Sequence, residues 1–424
     1  MIFRLRAPLQ VAFACLLPLL AAHIAHAQLL SFTPFHQSGI YDLGEKVGWT
    51  VTVPQGAPAP TGAYTYTVKK NNFDAIKTGS LDLSSGSATI ETTLAEPAMV
   101  YVDVSNPSIS GPAIHLGAAV APTKLQPSAP RPADFDAFWD AKLKALSEVP
   151  VRPVLTSTPT KQPGVEFFTV KLDSLGSNVQ GYLARPTREG KFPALVIFQY
   201  AGVYALQPDA VIERAAEGWL AFDVSSHNMP PSQANGIPAN YQWIGDTSRE
   251  TSYFLNMYLR DTRAIDYIAS RPDWDGKALV VMGTSMGGQQ SLVTAGLNSL
   301  VTAVIVDEPA GADSNGDLHG RKAGYPYWQS GDPKVMETAL YFDTVNFAPR
   351  IKIPVLAALG FIDTVAPPAG IWTAVNQIHG PKEVVPMSES DHNNITPEKQ
   401  GAYDSRSSEV LAIIRRGGEF KPER

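Results

Sequence analysis

The chain has 424 residues, of which 44% are hydrophobic, and a formal net charge of −6 at neutral pH. It is long enough for two domains, because single domains usually contain roughly 100 to 250 residues. The excess of acidic residues does not favour binding to nucleic acid or to an anionic membrane surface.

Residues 1–27 have the composition of a secretory signal. Arg4 and Arg6 precede an apolar run that ends at an Ala-His-Ala motif before Gln28. The run is too short for a membrane-spanning helix, so we predict that it is cleaved and that the protein is exported to the periplasm or the extracellular space. Cleavage would remove the only cysteine, Cys15. It would also lower the basic count from 34 to 32 against 40 acidic residues, for a net charge of −8.

Residues 28–120 show short runs in which apolar and polar residues alternate, as at 47–53 and 64–68. Proline, glycine, asparagine and serine separate the runs, and no stretch has the periodicity of a helix. This pattern predicts a small all-β sandwich of the immunoglobulin type. Residues 121–132 contain four prolines and are predicted to be a linker.

Residues 133–424 alternate between helical patterns and apolar runs typical of buried strands. The clearest helices are predicted at 133–147, 209–217 and 252–270. Strands are predicted at 167–172, 181–184, 194–198, 219–224, 278–282, 303–306, 355–359 and 383–387. This alternation predicts an α/β domain with a mostly parallel sheet covered by helices on both faces.

A Gly-Thr-Ser-Met-Gly motif at residues 283–287 lies between an apolar strand and a helical segment. A strand, a sharp turn and a helix in this order are typical of the nucleophile elbow of α/β-hydrolases, which holds a serine clear of the backbone. Similar turns also occur without chemistry. We interpret Ser285 as the nucleophile because suitable partners follow it in the chain.

An acid and a histidine follow later strands in the order Ser, Asp, His that this architecture requires. Asp363 lies 78 residues after Ser285, and His392 lies 29 residues after Asp363. His392 would take and return the serine proton, and Asp363 would orient the imidazole. His379 and Asp391 are alternatives. The surroundings of His379 predict a helix end, and Asp391 is adjacent to His392, whose ring it is poorly placed to face.

Stabilisation of an oxyanion requires two donors, usually the amide after the nucleophile and one from the loop after an earlier strand. The backbone amides of Met286 and Tyr200 occupy these places. The Tyr200 side chain equally fits a packing role.

Further motifs accompany the elbow in a fixed order, at residues 134–139, 261–265, 270–272, 341–348, 360–368 and 380–383. Together, over residues 132–417, they resemble the acetyl xylan esterase and cephalosporin C deacetylase family of α/β-hydrolases. The resemblance implies a serine esterase that removes acetyl groups from carbohydrate through an acyl-enzyme, without a metal or cofactor. It places the nucleophile, acid and base at Ser285, Asp363 and His392, and the oxyanion donors at Tyr200 and Met286.

Three segments depart from the family pattern. Met286 stands where the family has Gln, Asn393 where it has Glu, and Ser225-Ser226-His227 where it has Arg-Gly-Gln. Because of these departures, the resemblance does not determine the exact substrate or whether the chain forms the homo-oligomeric ring of the family. The amino-terminal sandwich lies outside the single-domain form of the family.

Four side chains are candidates for contact with substrate: Trp243, Tyr325, Trp328 and His227. Aromatic faces stack on sugar rings, but loop packing accounts for the aromatic residues equally well, and a capping role accounts for His227. Residues 313–317 resemble half of a calcium loop, but Gly324 stands where a glutamate is needed, so no metal site is predicted.

Two alternatives to an acetyl esterase remain at this point. The same chemistry could act on a uronoyl, feruloyl or small acyl ester, or on a peptide bond. In the other alternative the hydrolase domain is inactive and the protein only binds carbohydrate.

Overall fold

The computed structural model describes residues 30–57, 62–108, 113–328 and 331–423. The predicted secretory signal, residues 1–27, lies outside these residues. The described chain forms an amino-terminal β-sandwich and a larger α/β part. No helix in these ranges combines the length and the apolarity that a membrane span requires.

Two mainly antiparallel sheets form the sandwich, with strand orders β1-β3-β6 and β2-β8-β7-β4-β5. The strands are β1 (Ser31–Pro34), β2 (Ile40–Tyr41), β3 (Lys46–Thr52), β4 (Thr65–Lys70), β5 (Asp74–Ser80), β6 (Ser87–Thr93), β7 (Ala98–Ser105) and β8 (Ile114–Val120). Alternate side chains of β3 (Val47, Trp49 and Val51) are buried between the sheets, as a period of two residues requires.

The α/β part contains a nine-stranded sheet with the order β17-β16-β15-β14-β12-β13-β11-β10-β9. Its strands are β9 (Val154–Thr158), β10 (Val165–Ser174), β11 (Ser177–Pro186), β12 (Phe192–Phe198), β13 (Leu220–Val224), β14 (Trp274–Thr284), β15 (Ala303–Asp307), β16 (Val355–Gly360) and β17 (Lys382–Met387). Strands β12 to β17 pair in parallel, and β9 to β11 pair antiparallel.

Helices cover both faces of this sheet. They are α1 (Phe135–Ser147), α2 (Asp209–Glu217), α3 (Tyr253–Ser270), α4 (Met286–Leu297), α5 (Pro333–Ala339), α6 (Thr344–Phe347), α7 (Pro368–Gln377) and α8 (Pro397–Arg415). Large apolar clusters lie on both sides, which explains why central strands such as β16 are buried along their whole length. The predicted α/β-hydrolase fold is confirmed.

The carboxyl ends of β14, β15, β16 and β17 meet at one edge of the sheet. Thr284 pairs with Asp307, Asp307 pairs with Ala358, and Gly360 pairs with Met387. Residues that directly follow these strands are therefore brought together, although they are far apart in the chain.

The sandwich is docked at the same edge. Met99 and Ala119 belong to the apolar cluster that also forms the core of the α/β part. Gly117 lies so close to Phe361 that a Cβ atom on residue 117 would be 2.6 Å from the Phe361 Cβ. Contact of this kind leaves no room for a side chain at position 117.

The proline-rich segment predicted as a linker is held against the α/β part. The Asn376 side chain donates hydrogen bonds to the carbonyls of Pro122 and Leu125, at 2.9 and 3.0 Å. The Ser128 hydroxyl donates to Asp313 at 2.7 Å, and Leu125 is buried. The segment is thus part of the packed structure.

Candidate active site

Ser285 lies at a sharp turn between β14 and α4, with φ of 57° and ψ of −122°. A positive φ is uncommon for a residue other than glycine and is typical of a nucleophile elbow. Gly287 allows the turn, because a Cβ atom there would be 2.2 Å from the carbonyl oxygen of Phe198. The serine is only 6% exposed.

A continuous hydrogen-bonded chain joins Ser285, His392 and Asp363. The Ser285 Oγ lies 2.8 Å from His392 Nε2, and His392 Nδ1 lies 2.7 Å from Asp363 Oδ2. The other Asp363 oxygen accepts the backbone N–H groups of Val365 and Ala366, at 2.7 and 2.8 Å. These two amides orient the carboxylate, so that Oδ2 is left to accept the Nδ1–H of the imidazole.

Opposing influences act on the pKa of His392. Burial works to lower this pKa, but the hydrogen bond to Asp363 and the charges of Asp363 and Glu308 outweigh it, and the net pKa is raised. The imidazolium form is therefore stabilised. This favours transfer of the serine proton to His392, provided that the ring is neutral before the transfer.

The two alternatives, Asp391 and His379, do not take part in this hydrogen-bonded chain. The Asp391 carboxylate accepts the backbone N–H groups of Asn393 and Asn394 and forms an ion pair with Lys399 at 2.9 Å. His379 precedes β17 and therefore lies near the amino end of that strand, away from Ser285. Neither residue is brought to the Ser285 hydroxyl.

Glu308 is a second carboxyl group beside His392, and it was not among the residues predicted from the sequence. It is fully buried directly after β15. Its Oε1 accepts hydrogen bonds from Ser390 Oγ at 3.0 Å and Gln400 Nε2 at 3.3 Å. Its Oε2 lies 3.6 Å from His392 Nδ1 and has no hydrogen-bond partner within the described residues. Its position just after an apolar run was the signal that could have identified it.

Burial raises the pKa of Glu308 to about 7, and the charge of Asp363 adds to the rise. When ionised, Glu308 stabilises the imidazolium of His392 and raises its pKa. We expect Glu308→Gln to lower the pKa of His392 and to move the acid limb of the pH profile of kcat/KM for an aryl ester to lower pH. Glu389→Gln, which changes an exposed carboxyl on the same loop as His392, should leave that limb in place. An unchanged limb in Glu308→Gln would contradict the electrostatic link.

The two predicted oxyanion donors flank the elbow. Met286 is the first residue of α4, and the first amides of a helix have no carbonyl partner inside it. Tyr200 lies in the loop after β12. The Gln290 side chain on α4 holds this loop by donating to the Gln199 carbonyl at 2.8 Å. A hydroxyl from Ser226 reaches the same carbonyl at 3.2 Å.

Tyr325 and His227 belong to a buried network behind these amides. The Tyr325 hydroxyl contacts the sulfur of Met286 at 3.1 Å and the hydroxyl of Tyr241 at 2.8 Å. His227 has both ring nitrogens engaged, with Tyr253 Oη at 2.7 Å and the Gly202 carbonyl at 2.9 Å. Burial lowers the pKa of His227 to about 4, so the ring is neutral near pH 7. Neither side chain presents a free polar atom to a substrate here.

Trp328 is also buried. Its ring packs edge-on against Phe254, and its Nε1 donates to the carbonyl of Gln242 at 2.8 Å. Trp243 is partly buried against the same core. Tyr200 and Tyr327 are the most exposed of the aromatic side chains that the structure describes in these loops, at 55% and 38%. Packing therefore explains Trp328, which was one of the two roles expected for it.

Glu308, Asp363 and His392 also form a group of potential metal ligands, with ligand atoms within 4.8 Å of one another. A cation bound to His392 Nδ1 would have to displace the proton that Asp363 accepts there. The geometry of the described residues therefore suits a proton relay better than a metal centre.

Comparison with known proteins shows which family the chain is similar to. Residues 123–404 match the family model of acetyl xylan esterase (AXE1). A curated relative, acetyl esterase Axe7A of Xylanibacter ruminicola, is 30% identical over 378 residues, which cover 84% of this chain and 85% of the relative. Residues 133–424 are only about 69% of the chain, 292 of 424 residues, so this match extends into the amino-terminal sandwich.

Two solved structures share the fold. An acetyl xylan esterase from Paenibacillus sp. R4 aligns with a TM-score of 0.61 at 23% identity, over 70% of this chain and 98% of the other. Acetyl xylan esterase 1 from Thermoanaerobacterium sp. JW/SL YS485 aligns with a TM-score of 0.59 at 22% identity, over 69% and 96% of the two chains.

Proposed function

Because the chain belongs to the acetyl xylan esterase family, whose members are carboxylic ester hydrolases, we propose that it removes acetyl groups from xylan or xylo-oligosaccharides through an acyl-enzyme on Ser285. The observation that carries the mechanism is the position of His392, 2.8 Å from the Ser285 Oγ and 2.7 Å from Asp363. A base held between a nucleophile and an orienting acid is the arrangement that acyl transfer requires.

In the first half-reaction the Ser285 Oγ attacks the acetyl carbonyl carbon, and its proton moves to His392 Nε2. The amides of Tyr200 and Met286 donate to the negative oxygen of the tetrahedral intermediate. The bond to the sugar oxygen then breaks, this oxygen takes the proton from His392, and the acetyl group stays on Ser285. In the second half, water gives a proton to His392 and attacks the acetyl carbon. Acetate leaves, and Ser285 regains its proton.

The test is the release of acetate from acetylated xylan, acetylated xylo-oligosaccharides and 4-nitrophenyl acetate, with methyl-uronoyl and feruloyl esters assayed in parallel. We expect acetate from the carbohydrates. Turnover of the aryl ester alone would exclude the proposed substrate but keep the chemistry. No turnover of any ester, together with binding of xylan, would favour a binding protein.

We also propose that the protein acts outside the cytoplasm, on the strength of the signal-like composition of residues 1–27. Intact-mass measurement on protein from periplasmic and culture fractions should give a chain that begins at Gln28. A chain that begins at Met1 and stays in the cytoplasm would contradict export.

A further inference from the structure

A cleft of about 780 Å³ separates the sandwich from the loops at the edge of the large sheet. On one side it is lined by β1 and β8 of the sandwich, including Ser31, Phe32 and Ile114. On the other side it is lined by the segment after β17, including His392 and Asn393. Neither part of the chain forms this cleft alone. Its volume lies in the range of ligand-binding clefts and is far larger than an acetyl group requires.

The presence of His392 in the wall relates the cleft to the reaction. In acyl transfer the histidine returns its proton to the departing alcohol, so this alcohol must lie beside the imidazole. The acyl oxygen points instead toward the donor amides at Tyr200 and Met286. A sugar chain held in a cleft bordered by His392 would therefore be on the side of the leaving group, because the sugar is the alcohol that leaves an acetylated glycan.

Two basic residues of the lining, Lys399 and His115, already have acidic partners. Lys399 forms an ion pair with Asp391 at 2.9 Å, and His115 Nδ1 lies 2.8 Å from Asp103 Oδ1. This pairing does not favour an anionic ligand such as a phosphate or a uronate. Lining groups without a formal charge include the exposed hydroxyl of Ser31.

Apolar surface is interspersed with polar groups such as the exposed amide of Asn393. Phe32 and Ile114 are partly exposed on the sandwich side, and Trp49 and Tyr101 are buried lining residues. A pyranose ring combines hydroxyl groups at its rim with apolar C–H faces. A wall with hydroxyl and amide groups beside apolar side chains is complementary to both.

We propose that this cleft binds the sugar chain of the substrate, so that the sandwich and the hydrolase together hold several residues of an acetylated glycan on the leaving-group side of His392. The inference rests on the proposed deacetylation and extends it to the length of the substrate. Oligosaccharides that reach the sandwich should be better substrates than acetylated disaccharides or aryl acetates.

The experiment blocks the cleft from the sandwich side with Ser31→Trp and, separately, Ile114→Trp. The control is Ile76→Trp on β5, where Ile76 is 41% exposed and does not line the cleft. For each protein, kcat/KM is measured on acetylated xylo-oligosaccharides from two to six sugars and on 4-nitrophenyl acetate. We compare the ratio of kcat/KM for the acetylated hexamer to kcat/KM for 4-nitrophenyl acetate. In the two cleft variants only, we expect this ratio to fall at least about tenfold, the effect of losing one well-packed contact with the sugar.

A ratio that does not change in folded cleft variants, or a wild-type protein without preference for length, would overturn the proposal. His115→Ala supplies a milder variant if the tryptophan substitutions prevent folding. Binding of unacetylated xylohexaose, measured by calorimetry, distinguishes failure of the cleft proposal from failure of the proposed deacetylase function. If the sugar binds and Ser31→Trp weakens binding, the cleft proposal stands even when no carbohydrate acetate is released. If xylohexaose does not bind while acetate is released from short substrates, the cleft proposal fails and the proposed function stands.

Discussion

Ser285→Ala is expected to lower kcat for acetate release by about 10⁶-fold, because loss of the nucleophile removes the acyl-enzyme route. The contacts of Ser285 indicate that the substitution removes only the reactive oxygen atom. Ser285 acts through one atom, Oγ, which lies 2.8 Å from His392 Nε2. Its backbone amide donates to the Asp307 carbonyl at 2.9 Å, and its carbonyl accepts backbone N–H groups from α4 and from the segment after β15. Alanine keeps the Cβ and the backbone, so we expect the free energy of unfolding to change little.

Acetate release and labelling by a fluorophosphonate probe are measured on the same preparations. Ser291→Ala is a matched control, because Ser291 lies in α4 and its hydroxyl donates to the Gly287 carbonyl, at 2.8 Å. That variant should keep turnover within about tenfold, since it loses one neutral hydrogen bond. Probe labelling or substantial turnover in Ser285→Ala would show that another residue is the nucleophile.

Asp363→Asn is expected to lower kcat by about 10⁴-fold, because it selects the wrong tautomer of His392. The backbone N–H groups of Val365 and Ala366 require an acceptor. The oxygen of the introduced amide would therefore face these two groups, and its NH₂ would face His392 Nδ1. The ring would then carry its proton on Nε2, toward Ser285, and could not accept the serine proton.

The measurement is the pH profile of kcat for Asp363→Asn in the presence and absence of Glu308→Gln. Glu308 lies 3.6 Å from the same ring nitrogen, so it offers a partial substitute acceptor, and the loss should be larger in the double variant. Retention of kcat within about tenfold by Asp363→Asn, with a large loss in Glu308→Gln, would assign the orienting role to Glu308.

The positions of Ser285, Asp363 and His392 could be predicted because each follows an apolar strand. Both faces of β16 are covered, so almost every residue of it is apolar, and the edge strand β17 still contains a recognisable apolar run after Lys382 and Glu383. Neighbouring parallel strands end at one edge, which places the residues after them close together. Their catalytic roles remain predictions, but their proximity followed from the pattern.

Contacts between distant side chains could not be predicted in this way. Glu308 reaches His392 from another strand, and its partners Ser390 and Gln400 lie on two further segments. The Tyr325 hydroxyl contacts the sulfur of residue 286. Such pairings depend on how side chains fill space after folding, and no local spacing in the chain records them.

Partly exposed strands were also difficult to delimit. Strands β10 and β11 span ten residues each, whereas the apolar runs predicted only 167–172 and 181–184. Side chains of β10 alternate between buried and less buried positions toward its ends, and β9 is exposed along its length. An apolar run is a poor criterion for strands of this kind.

Because Gly117 lies so close to Phe361, substitutions in the sandwich can affect the residues of the candidate active site. Phe361 lies two residues before Asp363 in the chain, so any enlargement at position 117 pushes on the segment that carries the orienting acid. Selection for turnover would then act on a residue of the sandwich. The sandwich is therefore not an interchangeable module: exchanging it for another domain would require the hydrolase loop to be refitted at the same time.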